Sequence, residues 1–478
     1  MRYTLTQTVE LVERGGESIL LSRAPLCVLR LNASLAALVA RLRTGPLTPG
    51  SAAEARVLEE MAAKGFATRE RIAADAPAEL PVVSVVIPVK DREEELGRCL
   101  DSLVRLRYPK GRLQVIVVDD GSLDRSAEVA RQAGALVVAS GGVGRGPAAA
   151  RNRGAAAAWG DILAFIDSDC TASEGWLEEL IPAFGDPATT AVGGLVDGMR
   201  DAGPLDRYEA VMSSLSLGAR ERAGSSGDDT FYLPSCNLLV RRTAFLGAGG
   251  FSDDMHVGED VDLTWRLRDR GWTIRYLPTG RVWHEHRARL RPFMARRFDY
   301  GTSEGLLQTL HPERRKKMVV PPLLGLLLGL ALLALFAGWW QLLPLGAGLL
   351  AADAACLRRR LARHRLPLGF RTLLAGRVRA LGSLAYYLSY HLVRYYAVPL
   401  VALSCLVPMA GVLAAVAFGC AAGVDHAIRK PRLPFPLFAV FYLLEHLSYG
   451  SGVFWGCLRK KSFTSYRLTV LRQMEPAA

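Results

Sequence analysis

The stretch that most constrains this chain lies between residues 82 and 170, where short apolar segments alternate with helical patterns. Residues 82–89 read as a strand, 93–105 as a helix, 113–118 as a strand and 126–133 as a helix. A strand at 135–139, a helix at 148–158 and a strand at 162–166 follow. The strands are near-continuous apolar runs, the pattern of a sheet covered on both faces. Such alternation requires an α/β domain with a mostly parallel sheet and right-handed crossovers. The last of these strands runs through Phe165 and Ile166 into Asp167-Ser168-Asp169. Carboxylates spaced Asp-x-Asp at a strand end lie where open α/β sheets bind ligands. Alternate residues face the same way there, so both carboxylates can reach one hard cation. A lone Asp-x-Asp is also what an ordinary solvated turn contains.

The 478 residues leave room for two or three domains. Mean hydropathy is +0.17, and the apolar excess lies after Val319. The formal charge is +13, from 59 Lys+Arg against 46 Asp+Glu. Much of that basic charge flanks apolar segments, which points to a membrane. No basic stripe interleaved with aromatic residues is present, so nucleic acid is not an expected partner. The 8 Cys contain no Cys-x-x-Cys pair, which argues against a structural zinc site or a disulfide framework and for a reducing compartment. Residues 4–14 are polar and mixed in charge, unlike a signal peptide.

Four segments are expected. Residues 1–75 read as a small unit: strands at 8–12 and 18–21 joined at Gly15-Gly16, a third at 28–31, and helices at 35–42 and 52–63. Residues 76–81 are an Ala/Pro-rich linker. Residues 82–300 hold the α/β domain, with a loop at 224–229. Residues 301–478 are a membrane-associated helical region. Within it, residues 319–339 are uncharged and long enough to cross a bilayer, and Arg314-Arg315-Lys316-Lys317 before them puts that start in the cytoplasm. Residues 342–356 could return, and 397–424 form a second span behind a belt of tyrosines. Residues 435–457 are a further candidate that carries Glu445 and His446 inside it. Two to four spans are expected, with the α/β domain cytoplasmic.

The chemistry concentrates at strand ends. Pro88 and Val89 close the first strand ahead of Lys90-Asp91, and Asp119-Asp120-Gly121-Ser122 closes the second. A carboxylate there can accept hydrogen bonds from a base N–H or a ribose hydroxyl. Gly144-Arg145-Gly146-Pro147 leads into a helix carrying Arg151, which can reach a base or a phosphate. Gly258-Glu259-Asp260 starts a later helix, whose dipole can keep a carboxylate ionised for general-base work. Ser235 and Asn237 could contact an acceptor. His284 and His286 offer imidazole nitrogens to a metal. Each of these has a plain alternative: a strand-to-helix turn, a solvated arginine, a helix cap or a surface histidine.

Taken together, Ser84-Val-Val-Ile-Pro-Val89, Asp119-Asp-Gly-Ser122, Ala150-Arg-Asn-Arg-Gly154, Phe165-Ile-Asp-Ser-Asp169, Asn237 and Glu259-Asp260 resemble, in order, the family-2 glycosyltransferases. The resemblance covers about residues 82–290. It implies the GT-A nucleotide-sugar-binding (Rossmann-like) fold and an inverting, metal-dependent transfer. Asp169, Asp167 and His284 would hold Mg²⁺ or Mn²⁺. Pro88, Val89, Asp91, Asp119, Asp120, Arg151 and Asp167 would bind the nucleotide, Asp260 with Glu259 would supply the base, and Ser235, Asn237 and Trp265 would meet the acceptor. Two departures stand out. Asp91-Arg92 replaces the family's usual Asn-Glu after the first strand. Leu263-Thr-Trp-Arg-Leu-Arg268 stands where processive synthases carry Gln-x-x-Arg-Trp, which argues against a pore-forming synthase.

The layout as a whole, including Leu29-Arg-Leu-Asn32 and Ile87-Pro-Val-Lys-Asp-Arg92, resembles the glycosyltransferases of the mycofactocin system. The first 75 residues resemble the winged-helix, PqqD-like domains that recognise precursor peptides; an N-terminal packing domain is the alternative. This resemblance implies a UDP-glucose-like donor, a peptide-derived small-molecule acceptor (premycofactocin), a β-linked oligoglucoside product and other mycofactocin biosynthesis proteins as partners. Two rival readings stay open: a membrane glycosyltransferase acting on a polyprenyl-phosphate or cell-wall glycan, and a membrane-anchored peptide-binding scaffold whose catalytic domain is inactive.

Overall fold

The computed structural model describes residues 2–7, 9–14, 17–23, 26–70, 79–224, 230–363 and 368–472. The turn expected at Gly15-Gly16, the first half of the linker and most of the 224–229 loop lie outside them. The chain divides into two compact units, residues 1–76 with 322–384, and residues 77–321 with 385–478.

The α/β part of the larger unit has eleven strands among the described residues: β1 Val83–Val89, β2 Leu113–Asp119, β3 Leu136–Ala139, β4 Ile162–Phe165, β5 Cys170–Ala172, β6 Thr189–Gly193, β7 Val196–Gly198, β8 Arg222–Gly224, β9 Leu238–Arg241, β10 Thr273–Tyr276 and β11 Val282–His284. Eight of them form one sheet in the order β8-β10-β6-β9-β4-β1-β2-β3. The strands from β3 to β4 are mutually parallel. β9 lies antiparallel between β4 and β6, and β8 is antiparallel to β10. The mostly parallel sheet expected from the alternation is therefore present, with two reversed strands inserted after the Asp-x-Asp turn.

Helices α1 (Glu93–Val104), α2 (Ser126–Gln132) and α3 (Pro147–Ala157) cover the parallel half. Both faces of β1 are buried: Val83, Val85, Ile87 and Val89 join one core cluster and Val86 joins the other. This explains why β1 reads as an unbroken apolar run, and each such side chain contributes about 1.5–3 kcal/mol on burial. α3 is rich in alanine because it lies close to the sheet. A Cβ on Gly154 would come within 2.3 Å of Val86 Cγ1.

After β7 come α4 (Pro204–Met212), α5 (Glu259–Asp269) and the long α6 (Leu290–Leu310), then α7 (Pro408–Arg429) and α8 (Phe435–Lys460). α6 and α8 touch backbone to backbone. A Cβ on Gly301 would lie 2.2 Å from Tyr449 O, one on Gly452 2.1 Å from Phe298 O, and one on Gly456 2.3 Å from Thr302 O. Gly301-x-x-x-Gly305 thus faces Gly452-x-x-x-Gly456, the small-residue spacing that lets helices pack at close range.

α7 and α8 are long and apolar enough to cross a membrane. The first expected span is shorter than its apolar run: its helix covers Pro322–Ala337, 16 residues, or roughly 24 Å. It stops before Gly338, whose φ is +70°. The span expected over 397–424 is divided into Ala397–Ser404 and Pro408–Arg429, because Pro408 cannot donate the hydrogen bond that would continue a helix through it.

The smaller unit has a three-stranded antiparallel sheet, Val9–Arg14, Glu17–Arg23 and Leu26–Leu31, and a pair, Arg2–Leu5 with Ala67–Glu70. Asn32 and Ser51 cap its first two helices, accepting from Leu35 N at 2.8 Å and Glu54 N at 3.1 Å. Leu20, Val39, Leu58 and Phe66 are fully buried at its centre.

Candidate active site

The site forms where β4 leaves the sheet. The backbone turns through Asp167-Ser168-Asp169 and enters β5, which pairs antiparallel with β11 so that Cys170 lies opposite His284. Glu285 N donates to Asp169 O at 2.9 Å. This short ladder brings an imidazole 115 positions downstream beside the second aspartate. His284 Nε2 lies 3.7 Å from Asp169 Oδ1.

Asp169 is buried and receives Arg92 Nη1 at 2.6 Å. Burial alone would raise its pKa. His284, Arg92 and Arg287 together outweigh burial and hold it below the usual carboxylate range. Asp169, Cys170 and His284 each place one ligand atom within 4.8 Å of the others. The Cys170 thiol is pushed well above its ordinary pKa by burial, so it remains protonated and is a poor ligand for a hard ion. One carboxylate and one imidazole remain, a donor set that suits Mg²⁺ or Mn²⁺.

Asp167 is turned the other way. Its Oδ1 accepts from Arg151 Nη2 at 2.6 Å, and the same guanidinium donates through Nη1 to Glu259 Oε1 at 2.8 Å. Arg151 is 3% exposed. Burial works against its charge, but Asp167 and Glu259 more than offset that and keep it firmly protonated. One buried cation thus joins the strand-end turn to the start of α5. Its guanidinium N–H groups toward the site are committed to carboxylates within the protein.

α5 begins after Gly258, which adopts φ +83°; a Cβ there would also meet Ser303 and Leu307. Asp260 follows, half-buried, its Oδ2 accepting from Ser235 N at 3.1 Å and its Oδ1 from Val261 N at 2.8 Å. Burial and then the neighbouring Glu259 push its carboxyl up to about 7. A carboxylate with a pKa near neutrality is matched to taking a proton from a hydroxyl.

The other residues singled out from the sequence fall into three groups. At the ends of β1 and β2, Pro88 is half-buried and Val89 buried. Asp91 adopts φ +50° and accepts from Leu123 N at 2.6 Å. Asp119 accepts from Ser122 N at 2.9 Å, and Asp120 accepts from the amides of Arg145 and Gly146, both at 2.9 Å. Asp120 therefore shapes the glycine-rich loop before α3. Ser235 meets Asp260 through its backbone. Asn237 is spent inside the fold, donating to Leu195 O and Gly280 O and accepting from Trp176 Nε1 at 2.8 Å. Trp265 is buried on α5, donating to Phe231 O at 3.2 Å and stacking edge-on with His311.

Sequence reasoning passed over Arg287 and Arg296. With Arg297, His284 and Tyr300 they line a small cleft beside Asp169 and His284. Neither forms an ion pair with a carboxylate among the described residues; Arg296 lies over the Tyr300 ring at 5.4 Å. The available signal was the cluster of five arginines between positions 287 and 297.

Residues 84–247 match the family model described as Glycosyl transferase family 2. Over 400 residues the chain is 36% identical to the pre-mycofactocin glycosyltransferase of Mycobacterium tuberculosis, covering 80% of each protein. It is also 32% identical over 206 residues to glycosyltransferase AglE of Haloferax volcanii, covering 41% of this chain and 64% of that one. Among solved structures it is similar to the mannosyltransferase PcManGT from Pyrobaculum calidifontis, solved with GDP-Man and Mn²⁺. That likeness has 22% identity, 66% of this chain and 91% of that one covered, and a TM-score of 0.40.

Proposed function

The chain belongs to glycosyl transferase family 2, and from that premise we propose that it moves glucose from UDP-glucose onto premycofactocin with inversion at the anomeric carbon. The acceptor assignment draws on the 36% identity, over 80% of both chains, to a pre-mycofactocin glycosyltransferase. The observation that carries the chemistry is the Arg151 bridge, which fixes the acid pair at the end of β4 and the Glu259-Asp260 turn in one frame. In this reading Asp169 and His284 would hold Mg²⁺ or Mn²⁺, with Asp167 kept by Arg151 as the neighbouring support. When bound, the divalent ion supplies positive charge to the diphosphate.

The chain's own residues do the remainder. Asp119 and Asp91, at the ends of β2 and β1, face the nucleoside. Asp120 holds the loop over it. Asp260 accepts the proton of the acceptor hydroxyl as that oxygen attacks C1, and the bond from C1 to the diphosphate oxygen breaks on the opposite face. Arg287 and Arg296 add positive charge on the leaving-group side. A single displacement with one base inverts the anomeric centre, giving a β-glucoside from an α-linked donor, and repetition gives a β-linked oligoglucoside. The first 75 residues are proposed as a winged-helix, PqqD-like module for the peptide-derived acceptor. α7 and α8 are proposed to anchor a multi-pass protein whose catalytic unit faces the cytoplasm.

The test is direct. Incubating the full chain with a panel of UDP-sugars and premycofactocin should give product masses spaced by one hexose, with UDP-glucose alone active. Asp260→Asn should lower turnover by at least about 10³-fold, within the range for loss of a catalytic base, while UDP binding stays near wild type. Unchanged turnover in that variant refutes the base assignment. Transfer to a polyprenyl phosphate but not to premycofactocin refutes the acceptor.

A further inference from the structure

Glu445 is the only acidic residue of α8, a helix otherwise apolar enough to cross a membrane. It is 5% exposed, and a carboxylate so placed has to be paired. Its partners lead inward. Tyr208 on α4 donates to Glu445 Oε2 at 2.8 Å. Arg394 Nη1 lies 3.3 Å and Arg297 Nε 3.5 Å from Oε1. Arg297, on α6, donates through Nη2 to Glu209 Oε1 at 2.5 Å. The other oxygen of Glu209 lies 3.4 Å from His286 Nδ1, and His286 Nδ1 lies 3.2 Å from His284 Nδ1.

Nε2 of His284 is turned toward Asp169 and its Nδ1 toward His286, whose own Nδ1 also lies against Glu209, so the ring of His286 sits between Glu209 and His284. The line Glu445–Arg297–Glu209–His286–His284 is therefore continuous, and its four members before His284 are all buried. It also has a rigid foundation. The paired glycines of α6 and α8 leave no space for either helix to slide without separating the backbones. Polar groups behind a metal-binding imidazole set its ring orientation and the proton on its outer nitrogen, and their loss weakens metal binding.

We propose that Glu445, acting through Arg297, Glu209 and His286, is a positioning residue for His284, so that α8 sets the geometry of the metal-binding pair. This rests on the reading of Asp169 and His284 as the ion's ligands.

The experiment measures Mn²⁺ binding to the detergent-purified full chain by electron paramagnetic resonance, with UDP present, alongside melting temperature and UDP binding in EDTA. Asp169→Asn should abolish specific Mn²⁺ binding; if it does not, the metal-site reading itself fails. Given that loss, Glu445→Gln and Glu209→Gln should each weaken Mn²⁺ binding by roughly tenfold or more, with UDP binding in EDTA unchanged. Saturating Mn²⁺ should restore most of the turnover, which a purely structural defect would not allow. Wild-type Mn²⁺ affinity in both variants overturns the proposal. Should either substitution prevent folding, Tyr208→Phe removes one hydroxyl from Glu445 without changing charge. It should weaken Mn²⁺ binding by about threefold, within the factor lost with one hydrogen bond; unchanged affinity there overturns the proposal equally.

Discussion

Replacing Arg151 with Met should separate Asp260, the proposed base, from its working pH. Arg151 is 3% exposed and is shared by Asp167 and Glu259 at 2.6 and 2.8 Å. It is also one of the positive influences that restrain the Asp260 pKa, which burial and Glu259 already push up to about 7. Loss of a nearby opposite charge raises a carboxyl pKa by roughly 1–3 units, and about 1.5–2 units is expected here because Arg151 bonds the adjacent Glu259 rather than Asp260 itself. Removing the cation raises the pKa of the acid, so the ionised, proton-accepting form becomes scarcer at neutral pH. At pH 7 its fraction should fall from about half to roughly 1–3%, lowering kcat/KM on the order of 15- to 50-fold. The loss should be largely repaired by pH 9 to 9.5. Met preserves much of the side chain's bulk, but two carboxylates lose their cation. A destabilisation of about 3 kcal/mol is expected, at the low end for a broken buried pair, because Asp167 is 26% exposed at its side chain. The assay is a pH–rate profile from 5.5 to 9.5 for both proteins, with thermal melts at each pH. An acid limb at the wild-type pH, or a deficit that persists at pH 9.5 in folded protein, would refute the electrostatic role.

Gly456→Val should force α6 and α8 apart, since a Cβ there lies 2.3 Å from Thr302 O. A loss of at least about 1–3 kcal/mol is expected from overpacking, read as a lower melting temperature in detergent; an unchanged melt would show that the seam can relax. The paired substitution Arg287→Gln with Arg296→Gln should raise the donor KM by about tenfold, as loss of a charge-assisted contact does. The same pair should flatten the dependence of donor binding on salt, whereas wild-type KM would remove these arginines from the donor's diphosphate.

Much of the α/β framework was legible because its signals are local. Apolar runs covered on both faces, turn residues at strand ends and the glycine turn at the start of α5 depend on neighbours within a few positions. The membrane segments were less legible, because hydropathy reports composition rather than continuity. A run of apolar residues over 319–339 yields a 16-residue helix that stops before Gly338, and the run through 397–424 breaks ahead of Pro408. Within the site, Asp169 and Asp260 stand out at a strand end and a helix start. Nothing local to Arg151 indicates that its guanidinium is taken by Asp167 and Glu259, and nothing local to Asn237 indicates that its amide is used up by Leu195, Gly280 and Trp176.

By itself, then, the sequence determined the layered α/β domain, the acid pair at the end of β4, the carboxylate at the head of α5 and the resemblance to family-2 glycosyltransferases. Each follows from the period of side chains along a strand or helix and the chemistry at its end. Tertiary structure alone decided which groups share a charge. The β5–β11 ladder brings His284 to Asp169 across 115 positions. Beside the glycine seam of α6 and α8, a buried line of polar side chains runs from Glu445 to the same imidazole. Those pairings depend on desolvation and on distances of a few ångströms between segments remote in the chain, and no local pattern encodes them.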